Sequence, residues 1–445
     1  MNTPICDFVA KYMDSAAARL HMPGHKGIKL LGFESYDITE FDGADSLFEA
    51  DGIIKESEEN ASLIFGARTF YSAEGSSLCV RAMLYLALLY AKEKRKAERV
   101  LALRNAHKSF ISAAALLDMD IDWLYADTDE SYLSCKLSSE ALEDHLSKTS
   151  EKPCALYVTS PDYLGNTLDI KSISRVCKKY GLLLLVDNAH GAYLKFLPKS
   201  EHPIDLGADM CCDSAHKTLP ALTGAAYLHI NRDAPETLYD NAKRAMALFA
   251  STSPSYLILE SLDTVNKYLS QGYREKLAGL VSRLDALKAE LESTGYVFAG
   301  NEPTKLAICA KKYGYTGDEL AEMLFEKGIV CEFHDPDFVV FMLTPENSDS
   351  DILRLTNALL SIPCRESINT PAPVIRSAER VMSPRKALFS ASEEVKIKES
   401  IGRVLADLTL SCPPAVPILV CGERIDADAA KAFEYYRADT VRVVK

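Results

Sequence analysis

No apolar run in this 445-residue sequence approaches the roughly 20 residues that a membrane span needs, so no span is expected. The first residues, MNTPICDFVAKYMDSAAARLHMPGHKG, lack a basic start followed by an apolar core. No signal peptide is expected, and a cytoplasmic location follows. Cysteine occurs twelve times but never as a CxxC pair. Cys211 and Cys212 are adjacent, a poor spacing for metal ligands, and no metal site is expected. Scattered thiols without an export signal read as reduced, small, buried hydrophobes. Basic charge is in deficit: 50 Lys+Arg against 63 Asp+Glu leave a net charge of -13. That argues against non-specific nucleic-acid binding, which needs a basic face. A GxGxxG or Walker loop is also missing, so dinucleotide and nucleoside-triphosphate readings lack their fingerprint.

What is present is ordinary for a soluble globular chain, 48% hydrophobic and 25% charged, and long enough for two or three domains. Between about residues 55 and 250, helical and strand-like runs alternate. GIIKESEENASLIFG has helical spacing and ends on Gly66; SLCVRAMLYLALLYAKEKRKAE is a strong helix. RVLAL, CALYVTSP, LLLLVDNAHG, ADMCCDSAHK and GAAYLHI read as short strands. Nearly all-apolar strands separated by helices predict an α/β fold with a mostly parallel central sheet covered on both faces. In such sheets ligands bind beyond the carboxyl ends of the strands. His107, Asp162, Asp187 and Lys217 all fall just after predicted strands. The expected divisions are an N-terminal segment over 1–54, a large domain over 55–262, and a bridging helix with a small α/β domain over 263–362. A C-terminal domain over 363–445 completes the chain. One long helix is predicted over Asp263 to Thr294, and another helix around SEEVKIKES.

Four places can carry chemistry. In SAEGSSLCVRAML a hydroxyl-rich turn at Gly75, Ser76 and Ser77 opens a long helix, whose free N–H groups and dipole suit a phosphate; a plain Ser N-cap is the alternative. Asp187 ends the apolar run LLLLVD, where a carboxylate needs a cationic or hydrogen-bonding partner such as a protonated ring nitrogen; the alternative is a strand-end acid facing water. His107, in RNAHKSF, can lie flat on an aromatic ring or simply cap a helix. Lys217, in CCDSAHKTLPALTG, is a usable amine nucleophile if its site is dry, or a turn residue before Pro220. Ser214 and His216 flank it. Phosphate cradle, ring-stacking histidine, carboxylate for a pyridinium and Schiff-base lysine are together the parts that pyridoxal phosphate requires.

With LHMPGHKG, ALRNAHKS, YVTSPDYLGNTLDI, LLVDNAHGAYL, SAHKTLPALTG, STSPSYLILESLD and VCGERI in this order, the chain resembles the ornithine/lysine/arginine decarboxylase family. Within it, the chain resembles the short form lacking an N-terminal wing domain. The resemblance implies an aspartate-aminotransferase-like (fold type I) pyridoxal-phosphate fold and decarboxylation of lysine, ornithine or arginine. It also implies that Lys217 forms the Schiff base, Asp187 pairs with the pyridine nitrogen, His107 stacks on the ring and Ala189 packs on its other face. Ser76, Ser77, Ser214 and His216 would hold the phosphate. Ser251 and Thr252 would reach a neighbouring subunit's site, implying a homodimer with shared active sites. Glu423, in VCGERI, matches an acidic residue near the site entrance; it or Glu332 is the candidate partner for the substrate's distal cation. The resemblance departs at Asn188, where an acid is common, and at Cys421, where proline is common. The Pro-rich SCPPAVP is also looser than the family pattern. The proton donor to Cα is His107 or Lys217. Two other readings remain open: an aminotransferase or lyase holding a carboxylate with Arg354 or Arg376, and a degenerate regulatory homologue.

Overall fold

The run GIIKESEENASLIFG folds as the helix Ile53–Phe65 and stops where Gly66 turns left-handed, φ 68°, returning its N–H to Ser62 O at 3.0 Å. The computed structural model describes residues 1–125, 131–375, 377–408 and 414–445. Part of the Pro-rich SCPPAVP segment and Arg376 therefore lie outside the described residues.

Seven strands come first along the chain: β1 (Arg68–Ser72), β2 (Ala97–Leu103), β3 (Asp120–Leu124), β4 (Pro153–Thr159), β5 (Leu183–Asp187), β6 (Met210–Asp213) and β7 (Ala226–Ile230). The chain divides into two compact units. The first comprises Met1–Ala97, Cys154–Leu156 and Ile170–Lys276; the second comprises Glu98–Pro153, Tyr157–Asp169 and Leu277–Lys445.

In the first unit the strand order is β1-β7-β6-β5-β4. β5 and β6 are parallel, with Asp187 opposite Cys212. β7 runs antiparallel to both β1 and β6. The connection from β6 to β7 holds only the single helical turn Ala215–Thr218, and β7 returns alongside β6 in the opposite direction. β5, β6 and β7 are buried at every position, as their unbroken apolar runs predict. The helix Gly75–Lys94 packs against β1, β6 and β7 and buries Leu78, Val80, Met83, Leu84 and Leu86.

In the second unit β2 and β3 are parallel, Val100 opposite Ile121. A four-stranded antiparallel sheet follows, built from β8 (Phe298–Ala299), β9 (Lys305–Cys309), β10 (Phe333–His334) and β11 (Phe338–Met342) in the order β10-β11-β9-β8. Its core includes Leu284, Leu306, Ile308, Leu320, Val339 and Leu359. Two helices beside it, Gly317–Glu326 and Asp349–Leu360, each begin with a reciprocal capping box, Thr316 with Glu319 and Ser348 with Asp351.

Two elements depart from the sequence expectation. The single helix predicted over Asp263 to Thr294 is two, Tyr256–Leu269 and Tyr273–Ser293. Gly272 between them takes φ 75°, a conformation that ends a helix. SEEVKIKES is not one helix either. Ser392–Lys396 forms β12, which pairs antiparallel with β13 (Thr440–Val444), and only Ile397–Ser400 is helical. A partner strand more than 40 residues away overrides the helical preference of Glu and Lys.

Gly317 tests the packing of the second unit. A Cβ there would sit 2.1 Å from Asp335 O and 2.3 Å from Phe338 O, both rigid backbone. Gly317→Ala is expected to lower stability by about 2–3 kcal/mol, measured as a shifted urea midpoint with unchanged slope.

Candidate active site

In the first unit, β5 delivers Asp187 to the edge of the sheet as its last residue, 4% exposed. Oδ1 of Asp187 accepts the Ala189 N–H at 3.2 Å and the Cys212 thiol at 3.6 Å. Burial pushes the Cys212 thiol up, which keeps it protonated and able to donate. The turn that follows closes when Gly191 donates its N–H to Asn188 O at 2.8 Å. It carries His190, whose Nε2 lies 2.8 Å from Lys217 Nζ.

β6 ends one strand over at Asp213, and Ser214 opens the short helix Ala215–Thr218 that carries His216 and Lys217. Lys217 donates its N–H to Ser214 O at 3.0 Å, fixing the lysine's backbone. Ser214 Oγ donates to Ser76 Oγ at 2.8 Å, so the two hydroxyl-bearing turns meet. Gly75 donates its N–H to Gly224 O at 2.7 Å and takes φ 70°. A Cβ built on Gly75 would meet nothing within 4 Å, which marks open space at this turn. The helix beginning at Gly75 has no side-chain N-cap. Ser77 is half-buried in its first turn. Nδ1 of His216 donates to Ala225 O at 3.0 Å, which places its proton on that nitrogen. Ser251 and Thr252 are exposed, and Ser251 donates its N–H to Glu74 Oε1 at 2.6 Å.

In the second unit, His107 caps the helix Lys108–Leu117: Nδ1 accepts the Ser109 N–H at 3.1 Å. An accepting Nδ1 leaves the ring proton of a neutral His107 on Nε2. Three residues earlier, Arg104 donates to Pro417 O (2.9 Å) and Ile418 O (3.0 Å) and lies 3.6 Å from Glu423 Oε2. Glu423 also accepts the Val420 N–H at 2.8 Å. Burial raises its carboxyl above the ordinary range, and Arg104 partly offsets that. Glu332 differs: it is exposed, and Tyr163 OH donates to it at 3.3 Å. Arg354 belongs to the helix Asp349–Leu360 of this unit.

Reading the sequence alone passes over His190, although it lies inside the quoted DNAHG. Lone histidines carry no periodic signal, and its contact with a residue 27 positions away exists only in the fold.

Two family models match the chain: the major domain of the Orn/Lys/Arg decarboxylases over residues 3–306, and their C-terminal domain over 371–441. The chain belongs to the Orn/Lys/Arg decarboxylase family. This decarboxylase is 29% identical to an arginine decarboxylase of Bacillus subtilis over 95% of its own length and 91% of that protein's. An arginine decarboxylase of Halalkalibacterium halodurans gives the same identity and the same two coverages. Among solved structures, the constitutive lysine decarboxylase of Escherichia coli superposes with a TM-score of 0.75 at 18% identity, covering 100% of this chain and 82% of that one. Lysine decarboxylase A of Pseudomonas aeruginosa gives 0.79 at 17% identity, covering 99% and 80%. A serine palmitoyltransferase of Sphingomonas wittichii shares the fold at 0.56 and 16% identity, covering 81% and 83%. The fold is that of the fold type I pyridoxal-phosphate enzymes, and the cofactor of this decarboxylase is pyridoxal phosphate. The first unit fits that group: an amine beside an imidazole, a buried carboxylate at a strand end, and an uncapped helix start with open space and converging hydroxyls.

The Arg104–Glu423 pair gives a test in the decarboxylase's second unit. Arg104→Met leaves a buried carboxylate uncompensated, a loss of about 3–5 kcal/mol. A carboxyl whose folded pKa is raised takes up a proton on folding, so its cost appears as pH rises past its unfolded value. The variant is therefore expected to be least stable at pH 7 and to recover toward pH 5, and Arg104→Met with Glu423→Gln is expected to lose the pH dependence in chemical denaturation.

Proposed function

We propose that this decarboxylase acts on a basic amino acid, lysine, ornithine or arginine, releasing carbon dioxide and the matching amine. The Cα–carboxylate bond breaks, its electron pair stays on Cα, and a proton takes the carboxylate's place. The observation that carries the reading is Lys217 Nζ set 2.8 Å from His190 Nε2, beside a strand that ends on buried Asp187. Relatives named as arginine and lysine decarboxylases support the substrate class.

Bound pyridoxal phosphate supplies an electron sink for the carbanion pair. The chain's own residues do the rest. Ser76, Ser77, Ser214 and His216, with the N–H groups opening the helix at Gly75, hold the phosphate. Asp187 holds a proton on the ring nitrogen, and the energy of that contact counts most when negative charge develops. Ala189 would pack on one face of the ring, and His107 is the proposed stacking partner by family resemblance. His190 lies within proton-sharing distance of Lys217, so with the cofactor bound it would hold the amine's proton and return it. His107, with its proton on Nε2, and Lys217 are the two candidates to deliver the proton to Cα. For the substrate's distal cation, Glu332 is better suited than Glu423. Its carboxylate is exposed, whereas Glu423 already faces Arg104.

The assay is carbon dioxide release from lysine, ornithine and arginine. Release from one of them is expected, together with visible absorbance that borohydride abolishes, fixing the cofactor mass on the peptide carrying Lys217. Lys217→Ala should lose this labelling and at least about 10³-fold in kcat, the scale of a lost nucleophile. Labelling that survives in Lys217→Ala would refute the assignment. Glu332→Gln should raise KM with little change in kcat.

We also propose a homodimer. The N-terminal segment leaves Leu20 91%, Leu30 79% and Leu31 78% exposed, more apolar surface than a lone chain usually shows in one stretch. Light scattering is expected to give twice the chain mass of 49.0 kDa, and 49.0 kDa itself would contradict the proposal.

A further inference from the structure

Beneath the candidate site of the first unit lies a carboxylate that the proposed reaction does not use. Asp213 is fully buried, as are His202, His229 and Asn188, all at 0% exposure. Its Oδ2 accepts His202 Nε2–H at 3.0 Å and His229 Nε2–H at 3.1 Å, and its Oδ1 accepts Asn188 Nδ2–H at 2.7 Å. His229 Nδ1 in turn meets Thr69 Oγ1 at 2.9 Å, where the hydroxyl donates and fixes the imidazole tautomer. Phe65 covers the two imidazoles, with ring centroids 4.4 Å from His229 and 5.6 Å from His202. One carboxylate thus joins β1 through Thr69, β5 through Asn188, β6, β7 through His229, and the loop after β5 through His202.

Burial alone would raise the Asp213 carboxyl, but the two imidazoles outweigh it and hold it well below the usual carboxylate range. Burial likewise holds His229 toward its neutral form. A carboxylate with donors on both oxygens is a rigid joint, because losing any donor leaves a charge under-solvated. The joint lies one residue from each end of the site: Asn188 follows Asp187 directly, and Asp213 precedes Ser214. Asn188 N–H also donates to Cys212 O at 3.0 Å, holding the two strand ends together. The amide at 188 suits this joint. A carboxylate there would face a second, ionised carboxylate at hydrogen-bond distance, and the pair would have to share a proton.

We infer that Asn188 and Asp213 are positioning residues: the Asp213 carboxylate, through Asn188, fixes the direction in which Asp187 meets the cofactor ring and Ser214 meets its phosphate. This rests on the reading of Lys217 and Asp187 as the cofactor site. The act is orientation only, and no proton leaves Asp213 during turnover.

The test uses the full chain, stripped of pyridoxal phosphate and reloaded. Asn188→Ala keeps the Asp213–imidazole bonds and cuts only the link to β5. It is expected to raise the Kd for pyridoxal phosphate about tenfold, and to lower kcat more than it changes KM, with the melting temperature of the cofactor-free protein within a few degrees of wild type. Asp213→Asn removes the charge on which two imidazole N–H groups and the Asn188 amide converge, and should do worse. The exchanged pair, Asn188→Asp with Asp213→Asn, restores a donor facing an acceptor, and should bring the Kd back to within about threefold of wild type. A structural role alone would lower the melting temperature of every variant and leave the Kd unchanged, overturning the inference. Failure of the exchanged pair to rescue Asp213→Asn would overturn it too. So would one equivalent of tightly held zinc in the wild type, because ligand atoms of His202, Cys211 and Asp213 come within 4.8 Å of one another. If the wild type itself takes up no pyridoxal phosphate, it is the cofactor reading that fails, and the result is distinct from these.

Discussion

The parallel pairing of β5 and β6 at their carboxyl ends is the constraint on which the chemistry of the first unit depends. Register sets Asp187 across from Cys212, so the turns leaving the two strands emerge side by side. One turn carries His190 and the other Lys217, and their 2.8 Å contact is a consequence of that pairing. A slip of one residue would turn every side chain on these strands to the opposite face. Both faces of these strands are buried, so burial alone does not set the register; the Asn188 N–H donated to Cys212 O at 3.0 Å is one contact that holds it.

Charge inside such a sheet is tolerable only where it is answered. Three buried acids, two in the first unit and one in the second, each have specific donors. Asp187 has the Ala189 N–H and the Cys212 thiol; Asp213 has two imidazoles and an amide; Glu423 has Arg104 and the Val420 N–H. The adjacent cysteines at 211 and 212 take on meaning in this setting. Neither is joined in a disulfide, and burial keeps both thiols protonated. Cys212 then acts as a small donor beneath the carboxylate proposed to meet the cofactor, where a larger polar group would not fit a fully buried strand.

Membership in the Orn/Lys/Arg decarboxylase family gives the reaction class, and the partner proposed for the substrate's distal cation lies outside the cofactor set. The two acids considered for that role differ in their commitments. Glu423 is bound into the end of β2 through Arg104, and so reads as part of the scaffold that holds the His107 loop to the C-terminal segment. Glu332 remains exposed, with a tyrosine hydroxyl to orient it.

Much of the fold was legible in the residues. LLLLVD announces a buried strand ending on an acid, Gly66 announces a helix end, and SAEGSSL announces a helix opening on hydroxyls; each is a local signal that the chain obeys. The order of the motifs also carried the family and its cofactor. What the sequence could not decide were outcomes set by distant partners. SEEVK becomes a strand because TVRVV pairs with it, and β7 runs antiparallel between β1 and β6. His107 caps its helix whatever else it does. His190, His202 and His229 gain their roles only from groups 11 to 27 residues away. Periodicity and turn chemistry act over a few residues and can be read in one dimension. A buried hydrogen bond depends on which strands become neighbours, and only the folded chain fixes that.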